Sequence, residues 1–474
     1  MPRAPQQQRR TTRAPLGALA IALWLAGCAT PLGPGFRIEE QELSAEYLPG
    51  PEPAVLVRAV WRVENNGNQP LDGVDIGLPD TQRHGLRNIR AEVAGTAVDA
   101  AGAGSGSLRV PFGAPLGIGE TCEVTVSYEL RGLADESGGT QVTNLGFLLP
   151  PGDWAPVLLR PKGTFAAGGV PPKKWEMTVR VPAGWRVHAS GKSKGIEHRK
   201  DEQDQGETYS FAERRDGFPP FAVGGAFHEA RAKSNGQEVI FWTREALPAG
   251  VAQRGAEAAA RTAQFYDAAF GPRKEEARRL WVIECPAKHP CWAVPETALV
   301  GSEIEREDSW SGFLVELEQQ LAYTWLDFRV HPDWEKEPLP MAAMAEYATE
   351  LAAAEREGAN ARRIIIHGLV ANFDYQKERQ PEPPVESVQL SDPQSARQFA
   401  SVKSELFLFA LEDEAGRENL LRAVRHLLGT YRSGIWRADD LRSAAEQESG
   451  KDLGPLFREW LAAPGIPSNF RSRY

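Results

Sequence analysis

Side chains that could bind a metal ion or transfer a proton are sparse in this chain. None of its eight histidines lies four residues from another, so no helix presents a histidine pair on one face. Glu346 and Glu350 are four residues apart and share a predicted helix face with Ala342. We expect a solvated carboxylate pair there, and a two-carboxylate metal site is the alternative.

The cysteines predict one disulfide. Cys285 and Cys291 bracket the short segment Pro-Ala-Lys-His-Pro, and in an oxidising compartment a disulfide closing this loop is expected. A metal site using His289 is the alternative, although no further ligand pair has recognisable spacing. Cys122 alternates with polar residues on the same face as Val124, which predicts an inert buried thiol.

The first 27 residues predict a bacterial lipoprotein signal peptide. A head with four arginines and no acid precedes an apolar run, Leu16 to Ala26, that is too short to span a bilayer. The run ends in small residues directly before Cys28, which defines a lipobox; a plain signal peptide is the alternative. Cys28 is therefore predicted to carry lipid, palmitate included, as a membrane anchor. Ala29 provides no aspartate-type retention signal, which favours the outer membrane of the envelope, on its periplasmic face or at the surface.

Net charge limits the partners. The formal charge is -10, and it becomes -14 once the four arginines of the signal are removed. An acidic surface argues against nucleic acid and anionic lipid as partners, so the predicted contact with the membrane is the lipid on Cys28 alone.

The periodicity changes once along the chain. After a tether at 28–36, residues 37–245 contain alternating strand-like runs, such as Val55 to Val63, punctuated by turn clusters such as Asn65-Asn66-Gly67-Asn68. Residues 246–474 have mostly helical periodicity. Helices are predicted at 252–270, 310–328, 341–355, 361–373, 401–411, 417–431, 438–448 and 453–462. This layout predicts a β domain followed by a mostly helical one.

Several segments, in order along the chain, resemble the aminopeptidase N family of gluzincin zinc peptidases. Trp175 to Gly191 contains the family's Val-Pro-x-Gly-Trp turn, and Val294 to Val300 resembles the segment that binds the substrate amine, one residue short. Phe265 to Pro272 is similar to the helix end before the first strand of the catalytic domain. Asp452 to Pro467 is similar to the family's closing helix and its Trp-x4-Gly-x-Pro tail.

The resemblance also shows where catalytic residues would lie. Aligning the family's His-Glu-x-x-His-x-Trp helix on Trp325 places its histidines at Gln319 and Tyr323 and its glutamate base at Gln320. The third zinc ligand falls on Ala342. The tyrosine that stabilises the transition state falls on Ser401, two residues before Lys403, which we expect on the helix surface.

These replacements remove the chemistry that the family uses. Catalytic zinc needs three nitrogen or carboxylate donors, whereas a carboxamide is a poor donor and alanine offers none. Without zinc, bound water keeps a pKa near 15.7 rather than about 7. Gln320 cannot accept a proton, so general-base assistance, which accelerates the reaction about 10²–10⁴-fold, is lost as well. No metal and no other cofactor is therefore predicted.

The resemblance implies a multidomain α+β fold. An N-terminal antiparallel β-sandwich or saddle domain, 37–245, would precede a thermolysin-like, mostly helical domain of the catalytic type, 246–474. We expect a lipid-anchored envelope protein, catalytically inactive, that binds peptide or protein, with Glu296 gripping a free amine. The alternatives are a metal-dependent aminopeptidase with unrecognised ligands, and a purely structural protein whose cleft is filled. An ordinary surface glutamate is the alternative for Glu296.

Overall fold

The computed structural model describes most of the chain after the predicted tether. The described residues are 35–79, 85–101, 106–131, 139–159, 170–201, 204–212, 219–234, 236–244, 246–248, 250–273, 279–285, 293–294, 296–301, 310–326, 331–332, 341–383, 385, 388, 394–430 and 435–474. The predicted signal peptide, Cys28 and most of the tether lie outside them. The chain is multidomain, with a large N-terminal β region and a later helical region.

An eight-stranded sheet dominates the N-terminal β region. Its strands, in spatial order, are β13 (Lys192–Asp201), β14 (Asp204–Ala212), β11 (Pro172–Pro182), β1 (Phe36–Leu48), β2 (Ala54–Asn65), β7 (Thr121–Leu130), β4 (Arg87–Val93) and β5 (Thr96–Val98). Neighbours are antiparallel except β1 and β11, which pair in parallel. The intervening strands make that exception feasible, because a parallel pair needs a long connection.

The alternation predicted for β2 is confirmed. Val55, Val57 and Val63 are completely buried, whereas Arg58 and Arg62 are exposed on the opposite face. The strand ends at Asn65, whose side chain is fully buried. Its amide nitrogen donates to the carbonyls of Gln69 and Leu116, at 2.9 and 2.8 Å, and its oxygen accepts from the backbone of Gly67. These bonds fasten the predicted turn.

Two smaller sheets complete the β region. One contains β10 (Val157–Leu158), β3 (Leu71–Gly77) and β6 (Ser107–Leu116). The other contains β12 (Arg186–Ala189), β15 (Ala222–Gly225), β9 (Gly146–Leu149) and β8 (Gln141–Thr143), all antiparallel.

A five-stranded mixed sheet supports the helices. Its order is β16 (His228–Ser234), β17 (Gln237–Thr243), β18 (Arg279–Glu284), β20 (Thr297–Val300) and β19 (Ala293–Val294). This sheet takes strands from both sides of the predicted boundary at 245, and the boundary stays a prediction. A short parallel pair joins β21 (His331–Pro332) to β22 (Ile435–Trp436).

Helical structure occupies the regions where the periodicity predicts it, and one further short helix, Ser468–Arg471, is not predicted. They are α1 (Val251–Phe270), α2 (Trp310–Leu326), α3 (Met341–Glu357), α4 (Ala359–Lys377), α5 (Gln394–Ala415), α6 (Arg417–Thr430), α7 (Ala438–Ser449), α8 (Gly454–Phe457) and α9 (Ser468–Arg471), with a π-helical turn at Arg458–Ala462. Helix α5 begins seven residues before the predicted start. Within the described part of the chain, no helix is both long and apolar enough to cross a bilayer.

An apolar cluster joins the β region to the sheet beneath the helices. Leu148 on β9 and Val223 on β15 pack with Trp242, Ile283 and Leu299 from the five-stranded sheet. Four of these five side chains are completely buried, and Trp242 is nearly so. Removing this apolar surface from water holds the two sheets against each other.

The interface cluster predicts a stability effect. Ile283→Ala leaves a cavity between the sheets, so the free energy of unfolding should fall by about 2–5 kcal/mol. Chemical denaturation followed by tryptophan fluorescence measures this. Ile364→Ala is the matched control, because Ile364 is 70% exposed on α4 and its loss should change stability by about 0.5 kcal/mol at most. Equal effects of the two substitutions would contradict the assignment of Ile283 to the interface.

Candidate functional site

Helix α2 is held in register by its buried tryptophan. Trp325 is fully buried, and its indole donates to a carboxylate oxygen of Asp267 at 3.1 Å. The guanidinium of Arg273 lies over the same ring, 4.5 Å from its centroid. With this end fixed, Gln319 and Tyr323, four residues apart, lie on one half-buried face of the helix.

A single carboxylate joins that face to the neighbouring helix. Glu346 on α3 accepts a hydrogen bond through Oε1 from the side-chain amide of Gln319. The hydroxyl of Tyr323 lies 3.5 Å from the same oxygen. The structure therefore brings two of the positions predicted from the sequence, Gln319 and Tyr323, to one acceptor, Glu346. The sequence predicts that this carboxylate is solvated.

The carboxyl groups around this bridge are removed from water. Burial raises the pKa of Glu346, while the bonds from Gln319 and Tyr323 oppose that rise. Burial, and then the charges of Glu346 and other nearby glutamates, raise the pKa of Glu350 to about 7. The expected solvated carboxylate pair is instead half-buried, because Glu346 bonds to the neighbouring helix α2.

Glu405 on α5 belongs to the same acidic group. It is only 5% exposed, and burial followed by the charges of Glu346 and Glu350 raises its pKa well above the ordinary value. Nearby Glu318 is buried too, but it accepts from the guanidinium of Arg356 at 2.9 and 3.2 Å. Burial raises the pKa of Glu318 as well, and the hydrogen bonds from Arg356 oppose that rise.

The remaining predicted positions are Gln320, Ser401 and Ala342. Gln320 is buried, and its side-chain oxygen has no hydrogen-bond partner within the described residues. Ser401 is half-buried on α5. Ala342 lies in the first turn of α3, and the surroundings of its side chain fall outside the described structure.

Lys403 is not the surface lysine expected from the sequence. Its side chain is completely buried, and its ammonium donates to Glu382 at 2.7 Å and to the carbonyl of Ala463 at 2.6 Å. Glu382 also accepts from the backbone of Gly465 at 2.7 Å. This network ties α5 to the segment after the π-helical turn, which periodicity on α5 alone does not reveal.

Glu296 lies in the turn between β19 and β20. The residue is exposed, and its φ of 66° is in the left-handed region that disfavours side chains, at a cost of about 1–2 kcal/mol. Its carbonyl accepts from the backbone of Trp281 at 2.9 Å. The sequence gives no sign of this strain, because neither glycine nor asparagine occupies the position.

The cysteines are only partly described. Cys285 is buried and disulfide-bonded, whereas Cys291 and His289 lie outside the described residues, so their pairing and any metal role stay predictions. Cys122 is a free thiol, half-buried rather than fully enclosed, and burial raises its pKa.

The sequence offered one signal for the acidic group, the four-residue spacing of Glu346 and Glu350. Their burial and their partners depend on packing between helices. Within the described part of the chain, no group of three or more histidine, cysteine, aspartate or glutamate side chains is arranged to hold a metal ion.

The fold is shared with solved zinc peptidases. A structure of an M1 zinc metallopeptidase from Deinococcus radiodurans has 18% identity and a TM-score of 0.60, covering 91% of this chain and 95% of the other. A mutant of that protein with bound Tyr-Ser-Ala substrate gives the same identity and TM-score, covering 91% and 96%. No protein-family model and no curated protein matches the sequence. The likeness establishes the two-part peptidase-like fold.

The acidic group predicts a pH dependence of stability. Because the pKa of Glu350 is about 7 in the folded protein and near 4.5 when unfolded, the folded state binds more protons between these values. Stability should therefore decrease as pH rises from 4.5 to 7. Glu350→Gln should reduce that decrease by about 2–3 kcal/mol, measured by denaturation at several pH values. Glu355→Gln, at an exposed position of the same helix, is the control. An unchanged slope in Glu350→Gln would refute the assignment.

The buried lysine predicts a large loss of stability. Lys403→Met leaves the carboxylate of Glu382 without its cation, at a cost of about 3–5 kcal/mol in the free energy of unfolding. Lys377→Met is a matched control: Lys377 lies 4.0 Å from the same carboxylate, but 53% of its side chain is exposed. Exposed pairs contribute about 0–1 kcal/mol. Similar losses in the two variants, measured by denaturant titration, would show that Lys403 is not the dominant partner.

Proposed function

We propose that this protein is a lipid-anchored, catalytically inert member of the aminopeptidase N family that binds peptide or protein segments at the bacterial envelope. Its second part would have the thermolysin-like form of that family. The carboxylate bridge from Glu346 to Gln319 and Tyr323 carries the proposal, because it links the two positions where the family has its zinc-binding histidines.

The side chains at these positions do not fit zinc. The amide of Gln319 presents its nitrogen as a donor to Glu346, so that atom cannot coordinate a cation. The hydroxyl of Tyr323 would have to lose a proton with an ordinary pKa near 10 before it became a strong ligand. Ala342, at the third ligand position, has no donor atom in its side chain. One carboxylate remains where catalytic sites have three protein ligands.

Hydrolysis also needs a base and a group that stabilises the oxyanion. Gln320 has no basic atom, and the hydroxyl of Ser401 is carried by a much shorter side chain than that of the family's tyrosine. Since no metal lowers the pKa of an attacking water, each of the three contributions to the family reaction is missing. Peptide binding without turnover is the activity that the remaining features support.

Glu296 is the proposed anchor for the amine of a peptide. The carboxylate at this position is exposed and so accessible to a ligand, and a carboxylate that meets an ammonium group forms a charge-assisted hydrogen bond. The left-handed backbone supports this role, since strained residues that persist against a conformational cost cluster at binding sites.

The anchor in the membrane is argued from the sequence. The arginine-rich head, the short apolar run and the lipobox at Cys28 favour export and acylation. A lipid anchor at residue 28 and a short tether would hold the β region close to the bilayer, with the outer membrane favoured.

Peptide binding tests the proposal. Tyr-Ser-Ala with a free amine should bind about three- to fivefold more tightly than its N-acetylated form, a difference of about 1 kcal/mol as expected of an exposed ion pair, by isothermal titration calorimetry. Glu296→Ala should remove that preference. Glu197→Ala, at an exposed position on β13, should keep it. The mature protein should also hold no stoichiometric zinc and hydrolyse no peptide.

Other results would indicate a different function for this protein. Zinc that a chelator removes together with aminopeptidase turnover would establish an enzyme with unrecognised ligands. Equal affinity for free and acetylated peptide, or no binding of either, would contradict the amine anchor and favour a structural role.

A further inference from the structure

One histidine of the β region reaches the turn that carries Glu296. His188 lies on β12, and its Nε2 shares a hydrogen bond of 2.7 Å with the hydroxyl of Thr297. Thr297 is completely buried and directly follows Glu296 in the chain. The contact therefore joins two sheets that are far apart in sequence, at the first residue of β20.

The same imidazole also packs against Trp281, the second residue that restrains the turn. Its ring stacks on the indole of Trp281, with centroids 4.5 Å apart and planes 28° apart. The backbone amide of Trp281 donates to the carbonyl of Glu296. His188 thus touches both residues that hold the strained turn, Trp281 through its ring and Thr297 through its nitrogen.

We propose that His188 is a positioning residue that fixes the Glu296 turn from the β region and so aims the carboxylate at a ligand's amine. The effect of this positioning on ligand binding rests on the proposed peptide-binding function, whereas the positioning itself can be tested without any peptide.

The apolar interface alone does not provide this restraint. Leu148, Val223 and Leu299 keep the sheets at a fixed separation, but apolar contacts are non-directional. A turn with a left-handed residue needs directional restraint to persist, because relaxation would lower the free energy of the strained backbone. The bond from the amide of Trp281 supplies that direction at the carbonyl of Glu296, and the bond to Thr297 supplies it at the residue that follows.

The surroundings of His188 keep it neutral for this role. Part of the residue reaches the surface, but its ring is enclosed by the rings of Phe221, Trp242 and Trp281. Removal from water lowers the pKa of His188 to about 3. The nearest charged side chain on its own strand, Arg186, is paired with Glu229. The contact with Thr297 is therefore made by an uncharged imidazole at neutral pH.

Hydrogen exchange tests the positioning directly. His188→Phe keeps an aromatic ring against Trp281 but loses the hydrogen bond, and exchange of the Trp281 amide should accelerate at least about fivefold, the effect of one lost hydrogen bond. His188→Gln retains a polar group at the position of Nε2 and should stay within about twofold of the native rate. The amide of Cys285, which donates to Val300 farther along the same strands, is the internal control.

His228→Phe is the matched control variant, because His228 is exposed on the edge strand β16. It should leave the Trp281 amide unchanged. Unchanged exchange in His188→Phe, or equal acceleration in His188→Phe and His188→Gln, would overturn the inference, since the hydrogen bond would then not hold the turn.

Peptide selectivity then tests the consequence. His188→Phe should reduce the preference for free over acetylated Tyr-Ser-Ala by at least about threefold, and His188→Gln should restore it. A general loss of stability would weaken both peptides equally and would count against a positioning role. If the native protein shows no such preference, the proposed function fails, whereas the exchange rates still decide the positioning of the turn.

Discussion

The carboxylate of Glu346 is the constraint on which the interior of the helical region depends. It accepts from Gln319 and faces the hydroxyl of Tyr323, so helices α2 and α3 meet through hydrogen bonds at one oxygen. A carboxyl taken out of water without a cation is unfavourable unless donors satisfy it or it takes up a proton. Two donors and a raised pKa meet that requirement here.

The neighbouring carboxyls share this constraint. Glu350 and Glu405 have raised pKa values because each is buried and lies near the charge of Glu346. Glu318 is satisfied differently, through the guanidinium of Arg356. Burial thus raises the pKa of all three carboxyls, and pairing with Arg356 opposes that rise at Glu318. The raised pKa values couple the packing of α3 and α5 to proton uptake, which a well-solvated carboxylate pair would not do.

The two parts of the molecule are joined by different kinds of contact. Apolar side chains such as Ile283 and Leu299 exclude water between the sheets, and His188 adds one directional bond to Thr297. Apolar burial supplies free energy in proportion to area, whereas a hydrogen bond selects an orientation. The proposed binding turn lies where both act. A change at the surface of the β region could therefore alter the geometry of Glu296 without touching it.

The sequence by itself determined the order of strands and helices, because side-chain periodicity is a local property. Val55 to Val63 alternate as predicted. The sequence also placed Gln319 and Tyr323 on one face, since residues four apart in a helix are neighbours. Only the tertiary structure decided that Glu346 faces them, that Lys403 is buried against Glu382, and that Glu296 adopts a left-handed backbone. These outcomes depend on which distant segments cover a side chain, and burial sets the free energy of a charge or a polar group more strongly than its residue type does.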